Sequence, residues 1–543
     1  MILPLALLMA PSGAKASVDP ASALHAYARA RLADGEGALG MAVESYREAL
    51  RQDPSRIEIA RRSYVQGLES GDRALALRSA AVLDAAGMMP RDGTLLLIGE
   101  ALTRKDWSGA SALVDRMTSE GNFAFLAPII GSWIALGEGR YAPPVIDQKD
   151  RFAALGARYV DEHAALQTIM KGDVQAAVPI VRRALAVRGR DGGPLRIAFA
   201  AQLANRGAKA EALTLLPVGD PDFALARRDI EKRRMRAAPL TAAQGYARLL
   251  ARMAVDIASD PAGATLGLRL ARMATFADPD GAEGHILAAR LLTGQGHGAA
   301  AAIVARQVPP QSWFAPFARA ELIDALAEAG DKDGALSLAR AQAAEPGAGP
   351  ERQVRLGRLL ADQRDFDAAA AAFRAAQASY ADGQVPWTLL LFEGSALEQG
   401  KRWAEARKVL EQAAAIAPNE PMVLNYLGYA QIERRQNVDA ALALIKKASA
   451  LKPDDPSIAD SLGWAQFVTG NVAAALPSLE RAAVGAPADA TINEHLGDAL
   501  WTAGRRYEAR YAWEAASVYA EGAVAERLEA KRREGLTPEY AAP

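Results

Sequence analysis

Two short patterns in the sequence have the spacing of known chemistry. Gly35 to Gly40, GEGALG, satisfies G-x-G-x-x-G, in which glycines let the backbone approach a pyrophosphate at the start of a helix. Ser449 and Lys452 satisfy S-x-x-K, which sets a serine nucleophile one helical turn from a lysine. Neither pattern has the surroundings its chemistry needs. The glycines lie between two helical patterns with no strand before them, so they read as a hairpin turn. The Ser-Lys pair closes a repeat and lacks its companion motifs. The five histidines, at 25, 163, 285, 297 and 495, are scattered without metal-ligand spacing. Zero cysteines exclude disulfides, thiolate metal sites, a cysteine nucleophile and a lipid-modified cysteine. No phosphate-binding loop, H-E-x-x-H or G-x-S-x-G occurs, and the carboxylates form no identifiable acid/base pair. The expectation is a protein without catalytic residues, metal or cofactor.

The elements that would have to position any site are helical and repeated. The chain has 543 residues, half of them hydrophobic, which exceeds what one ordinary core fills and points to several domains or an elongated array. Its 63 basic and 64 acidic residues nearly cancel, so no global charge favours nucleic acid or an anionic membrane. Glycines 394, 428, 463 and 497 are spaced by 34, 35 and 34 residues. Alanines 406, 441, 475 and 509 follow with steps of 35, 34 and 34, and Ala413, Ala448, Ala482 and Ala516 repeat those steps. Pro418, Pro453 and Pro487 close three units, because proline cannot continue a helix. The Gly-to-Ala gap is 12 residues except for 13 between Gly428 and Ala441, which predicts one residue inserted in that turn.

Each position has a steric reason. The glycine lets the first helix of a hairpin approach the second, and the alanines do the same from the other side. Leu427, Leu462 and Leu496 fill the space beside them, and Leu410, Ile445, Leu479 and Trp513 are knobs expected between hairpins. Residues 351 to 377 add a further unit through Gly357, Ala369, Phe373 and Ala376. Upstream the pattern decays to a turn glycine with alanine five later, at Gly71/Ala76, Gly172/Ala177, Gly207/Ala212, Gly296/Ala301 and Gly330/Ala335. No single unit can bury its apolar face, so neighbours must stack.

The expected fold is therefore all-α: a superhelical solenoid of roughly a dozen stacked helix-turn-helix hairpins from about residue 20 to 520. Interruptions are expected at 136–152, 190–196 and 343–353, and Pro179 and Pro477 should kink their helices or shift their starts. The division reads as an export signal at 1–16, degenerate repeats at 17–350, well-formed repeats at 351–520, and a capping helix and tail at 521–543. Ile2 to Ala10 is a short apolar run, and Ala14-Lys15-Ala16 before Ser17 has the small residues of a signal-peptidase site. No other stretch approaches the ~20 apolar residues of a membrane-spanning helix. Export to the periplasm, or association with the outer membrane without a lipid-anchor cysteine, is the expected location. The apolar ends of such an array would also invite self-association if left bare.

With chemistry set aside, the repeated surface is the candidate function. Residues three before the glycine, and one and four after it, point toward the concave groove lined by first helices. This selects Asn425, Tyr429 and Ile432, then Asp460, Trp464 and Phe467, then Glu494, Asp498 and Trp501. Aromatic anchors beside polar groups are what a peptide-binding surface needs. The same rings could equally pack between helices.

The repeat resembles the tetratricopeptide repeat, whose 34-residue helix-turn-helix units carry L-G early, A-x-x-x-F/L-x-x-A later and P at the end. Residues 424 to 516, with L-N-Y-L-G-Y, D-S-L-G-W, N-E-H-L-G-D and A-R-x-x-W-E, also look like the C-terminal repeats of exported bacterial tetratricopeptide proteins. The best-understood of these is an outer-membrane lipoprotein that presents cell-wall endopeptidases to a periplasmic carboxyl-terminal processing protease. The resemblance implies an adaptor that brings protease and substrate together, although those proteins are anchored through a cysteine and this sequence has none. A generic scaffold for envelope or secretion machinery shares every one of these features and differs only in partner. An enzyme with a helical recognition arm leaves no residues for its catalytic domain.

Overall fold

The computed structural model describes residues 20–146, 153–186, 192–233, 239–381, 384–538 and 542. The segment expected to direct export, 1–16, lies outside them, as do parts of the first two expected interruptions. The described residues form 29 α-helices and no strand. The chain divides into two compact units, Met1–Ala348 and Gly349–Pro543. No helix among the described residues is long and apolar enough to cross a membrane.

The local rule that builds both units is the hairpin turn. Gly71, Gly172, Gly207, Gly296, Gly330, Gly470 and Gly504 all have φ between 78° and 99°, a left-handed conformation that glycine adopts without a steric penalty. Each alanine five residues later is fully buried. The residue after the glycine returns its N–H to a carbonyl five positions back: Asp331 to Leu326, Asn471 to Gln466 and Arg505 to Leu500, each at 2.9 Å. In two of these turns the same residue then caps the next helix, Asp331 accepting from Gly334 N and Asn471 from Ala474 N. Gly37 of the GEGALG stretch is another such turn, with φ of 70° and Ala42 buried behind it. Lys105, Arg364 and Lys401 hold the same place without being glycines, at φ of 59°, 63° and 61°, and Ala110, Ala369 and Ala406 follow them fully buried. The residue inserted between Gly428 and Ala441 falls in a turn where Arg435 and Asn437 are both left-handed.

In the second unit the helix glycines are steric necessities. A Cβ on Gly394 would lie 2.6 Å from Leu410, on Gly428 2.7 Å from Ile445, on Gly463 2.6 Å from Leu479, and on Gly497 2.3 Å from Trp513. The large residues expected to lie between hairpins therefore also seat on the glycine of their own hairpin. They still reach onward. Leu410 shares a buried cluster with Val423 and Leu427, Ile445 with Trp464 and Ala465, and Leu479 with Ala499. One side chain thus ties three helices, which is why the register is so strict here. Pro179 and Pro477 remain inside their helices, Val174–Ala186 and Val472–Gly485, so neither shifts the start.

The first unit departs from a stack in which each hairpin meets only its neighbours. The helices Ala242–Ala258 and Ala264–Ala277 pack back against Ile57–Ser70, Gly93–Arg104 and Ala127–Gly137. Tyr246, fully buried, donates its hydroxyl to the Leu95 carbonyl at 2.7 Å, and the buried Arg272 reaches the Glu69 carbonyl at 3.3 Å. Burial pushes the Arg272 guanidinium down to about 10, so it stays charged at neutral pH. Gly245 lies so close to Trp133 that a Cβ there would sit 2.2 Å from the indole. These contacts span more than a hundred residues of sequence, and no 34-residue period encodes them.

Candidate partner-binding groove

Three first helices of the second unit, Pro421–Glu433, Pro456–Val468 and Ala490–Thr502, lie side by side and carry every candidate residue. The structure divides those residues into two aromatic groups and a buried ionic cluster. In the first group, Trp464 stacks on His495 with ring centroids 4.0 Å apart and planes 11° from parallel. Phe467 stacks on the same indole at 5.0 Å, and Tyr429 faces the imidazole at 6.5 Å. Ile432 is buried in the cluster beneath, with Ala441, Ile445 and Trp464. In the second group, Trp501 packs against Trp513 at 5.4 Å, and Arg506 and Arg510 each place a guanidinium 5.0 Å from its ring. Asn425 lies one turn up the first helix, where its Oδ1 is buried with no hydrogen-bond partner among the described residues.

The three carboxylates are all buried. Asp460 meets His495 Nδ1 at 3.0 Å. Glu494 takes a bidentate pair from Arg527, both bonds 2.8 Å, and a third from Lys531 Nζ at 2.6 Å. Asp498 accepts from the Trp513 indole at 2.9 Å, from Lys531 Nζ at 2.8 Å, and from the Ala542 backbone N–H at 3.1 Å. Asp498 and Lys531 are both 0% exposed. Three acids, Asp460, Glu494 and Asp498, thus face three bases, His495, Arg527 and Lys531, in an interior where an unpaired charge is costly.

Burial and pairing pull the ionisations in opposite directions. For His495 burial works against the charged form, but the Asp460 carboxylate, with Asp498 and Glu494 behind it, outweighs burial and raises the imidazole above its ordinary value. Burial likewise opposes ionisation of Glu494, yet Arg527 and Lys531 hold it below the usual carboxylate range. Burial dominates at Asp498 and raises it despite Lys531. It also pushes the Tyr429 phenol up, helped by Glu433 and Asp460.

Seven of the contributing residues are not among the sequence site candidates: His495, Arg506, Arg510, Trp513, Arg527, Lys531 and Ala542. Arg527 and Lys531 come from the helix Gly522–Glu534, which covers the hairpin before it and buries Leu528. Where the sequence reads only a charged, solvated run, that helix carries a buried lysine. Beyond it, Gly535 has φ of 92°, and a Cβ on it would lie 2.1 Å from Trp501. Leu536 packs on the Trp513 and Leu528 cluster, and Ala542 joins the Trp464 cluster. These three residues of the chain's own C-terminal segment thus lie on the surface assigned to partners. Trp464 is only 2% exposed, and its Nε1 is buried with no hydrogen-bond partner among the described residues. Tyr429, Phe467, Asn425 and Trp501 remain half-buried. The outer face of the last hairpin holds a separate exposed pair, Tyr507 and Tyr511, 84% and 75% exposed.

Residues 354–421 and 461–525 match the family model described as tetratricopeptide repeat, so the second unit carries these repeats. No curated protein matches the chain. Among solved structures, TTC0263, a thermophilic protein with the same repeats from Thermus thermophilus, is 19% identical, with a TM-score of 0.30, over 34% of this chain and 98% of its own. MamA MSR-1 C2 is 19% identical with a TM-score of 0.26, over 31% of this chain and 95% of its own. A double mutant of MamA RS-1 is 15% identical with a TM-score of 0.28, over 31% and 93%.

Proposed function

We propose that the chain is a non-enzymatic scaffold for protein contacts in the bacterial envelope, and that the first-helix face of its second unit receives partner proteins. The observation that carries this reading is the row of half-buried side chains Asn425, Tyr429, Phe467 and Trp501 on that face, seated over the buried Trp464 and the paired acids Asp460, Glu494 and Asp498. Aromatic rings give large contact area at low conformational cost, and the ion pairs beneath hold their helices in place. Stacked helical hairpins present such residues on a rigid support, as a binding site requires.

The finer reading is an adaptor that brings cell-wall hydrolases to a periplasmic carboxyl-terminal processing protease. It is supported by the resemblance of residues 424–516 to exported proteins of that kind, and by the apolar run Ile2–Ala10 followed by Ala14-Lys15-Ala16. Affinity capture from envelope extract tests it, with residues 17–543 as bait and a Tyr429→Ala, Phe467→Ala variant in parallel. Both rings are half-buried, and circular dichroism checks that helicity is kept. Recovery of a processing protease and cell-wall hydrolases by the parent, and their loss with the variant, is the expected result. An unrelated set of proteins would overturn the protease assignment, and a set unchanged by the variant would overturn the groove.

A further inference from the structure

Residues of the chain's own segment after the helix Gly522–Glu534 lie against the groove residues of the second unit. Gly535 lies on the Trp501 indole, with a left-handed backbone and a separation that no side chain tolerates. Leu536 packs on the cluster of Trp513 and Leu528. Ala542 is 8% exposed, sits with Ile432, Ala441, Ile445, Trp464 and Ala465, and donates its backbone N–H to Asp498 at 3.1 Å. Asp498 therefore accepts from a backbone N–H 44 residues away, as a site for an incoming peptide would. The contact at Ala542 uses a small side chain and a main-chain donor, so it reads the class of residue and not its identity. It leaves the buried Trp464 Nε1 without a hydrogen-bond acceptor among the described residues.

We propose that the segment carrying Gly535, Leu536 and Ala542 is an intramolecular ligand of this groove, standing in for an extended partner segment that places an alanine-sized residue against Trp464 and a main-chain N–H on Asp498. This rests on the groove being the partner surface. A segment tethered a few residues from its site acts at an effective concentration of about millimolar. If the tether itself binds with an intrinsic Kd of ~100 micromolar, the groove is open about one tenth of the time and every partner segment is weakened about tenfold, so only a segment with further contacts, such as an acceptor for Trp464 Nε1, displaces the tether. The groove is thereby closed to weak or chance ligands and open to a matched one.

A labelled peptide of residues 538–543, PEYAAP, which omits the Gly535 and Leu536 that every protein keeps, tests this by fluorescence anisotropy against three proteins. These are the full chain, the full chain carrying Ala542→Asp, and a chain ending at Thr537. Ala542→Asp sets a second carboxylate beside Asp498 in an apolar cluster and should release the segment. The expected result is that both altered proteins bind the peptide at least about tenfold more tightly than the full chain. The peptide carrying Ala542→Asp should bind none of them. Equal binding by the full chain and its Ala542→Asp variant, or no binding by either altered protein with melting temperature unchanged, overturns the proposal. If the shortened chain fails to fold, the comparison of the full chain with Ala542→Asp decides alone. Should this peptide test fail while Tyr429→Ala with Phe467→Ala still abolishes partner capture, the groove stands without its internal ligand.

Discussion

Trp464 lies face-on to His495 at a centroid separation of 4.0 Å, and the Asp460 carboxylate holds the Nδ1 edge of the same imidazole at 3.0 Å. A buried imidazole between an aromatic face and a carboxylate is arranged to carry a positive charge, because the indole's π-face and the acid both favour the protonated form. The two residues belong to neighbouring hairpins, so the charge joins the helix Pro456–Val468 to the helix Ala490–Thr502.

That arrangement makes the second unit pH-sensitive. The folded-state value of His495 is raised above its ordinary value of 6.5, so its stabilising contribution is complete below about 6.5 and is lost as pH rises through the folded value. Melting temperature should therefore decline on going from about pH 6 toward alkaline solution, at roughly constant net contribution from the exposed carboxylates. His495→Gln should flatten this decline. An unchanged profile in that variant would assign the pH dependence elsewhere.

Lys531 should be among the most sensitive positions of the unit. Its ammonium touches both Glu494 and Asp498. Lys531→Met leaves Asp498 buried without its cation, which should cost about 3 kcal/mol in chemical denaturation. Adding Asp498→Asn removes the stranded charge and should restore part of that loss. A loss below about 0.5 kcal/mol for Lys531→Met would show that solvent reaches the cluster.

The helix glycines and their opposing side chains should fail as pairs. Gly497→Ala drives a methyl into Trp513, and overpacking of this kind costs about 1–3 kcal/mol. Gly497→Ala combined with Trp513→Leu should be less damaging than the sum of the two single changes, measured as a double-mutant cycle. Additive effects would mean that the two residues do not share the contact.

The sequence makes the local design plain and the distant contacts obscure, for physical reasons. A turn glycine followed by a buried alanine is a short-range requirement of one hairpin, so it is readable even where the repeat decays, as at Gly71/Ala76 and Gly207/Ala212. Lys105, Arg364 and Lys401 hold the same left-handed place with no glycine to announce them. The return of Tyr246 onto Leu95 follows from how the first unit curves, which no periodicity encodes. In the groove the candidates Asp460, Trp464, Glu494 and Asp498 do share one face, but as buried residues. Their partners are hidden by rules suited to other chemistry. His495 lacks metal-ligand spacing, and Lys531 breaks the repeat. It lies 34 residues after Gly497, in the place of the next glycine. There the lysine turns to the acids Glu494 and Asp498.

The central claim is that partners dock on the first-helix face of the second unit, and site-specific photo-crosslinking tests it most directly. A photoreactive phenylalanine analogue at Phe467, in the groove, is compared with one at Tyr507, on the exposed outer face, in the full chain expressed in its host cells. The account predicts a discrete crosslinked protein from position 467 and none from 507. A crosslink from 507 with none from 467 would place the binding surface on the outer aromatic face and contradict the account.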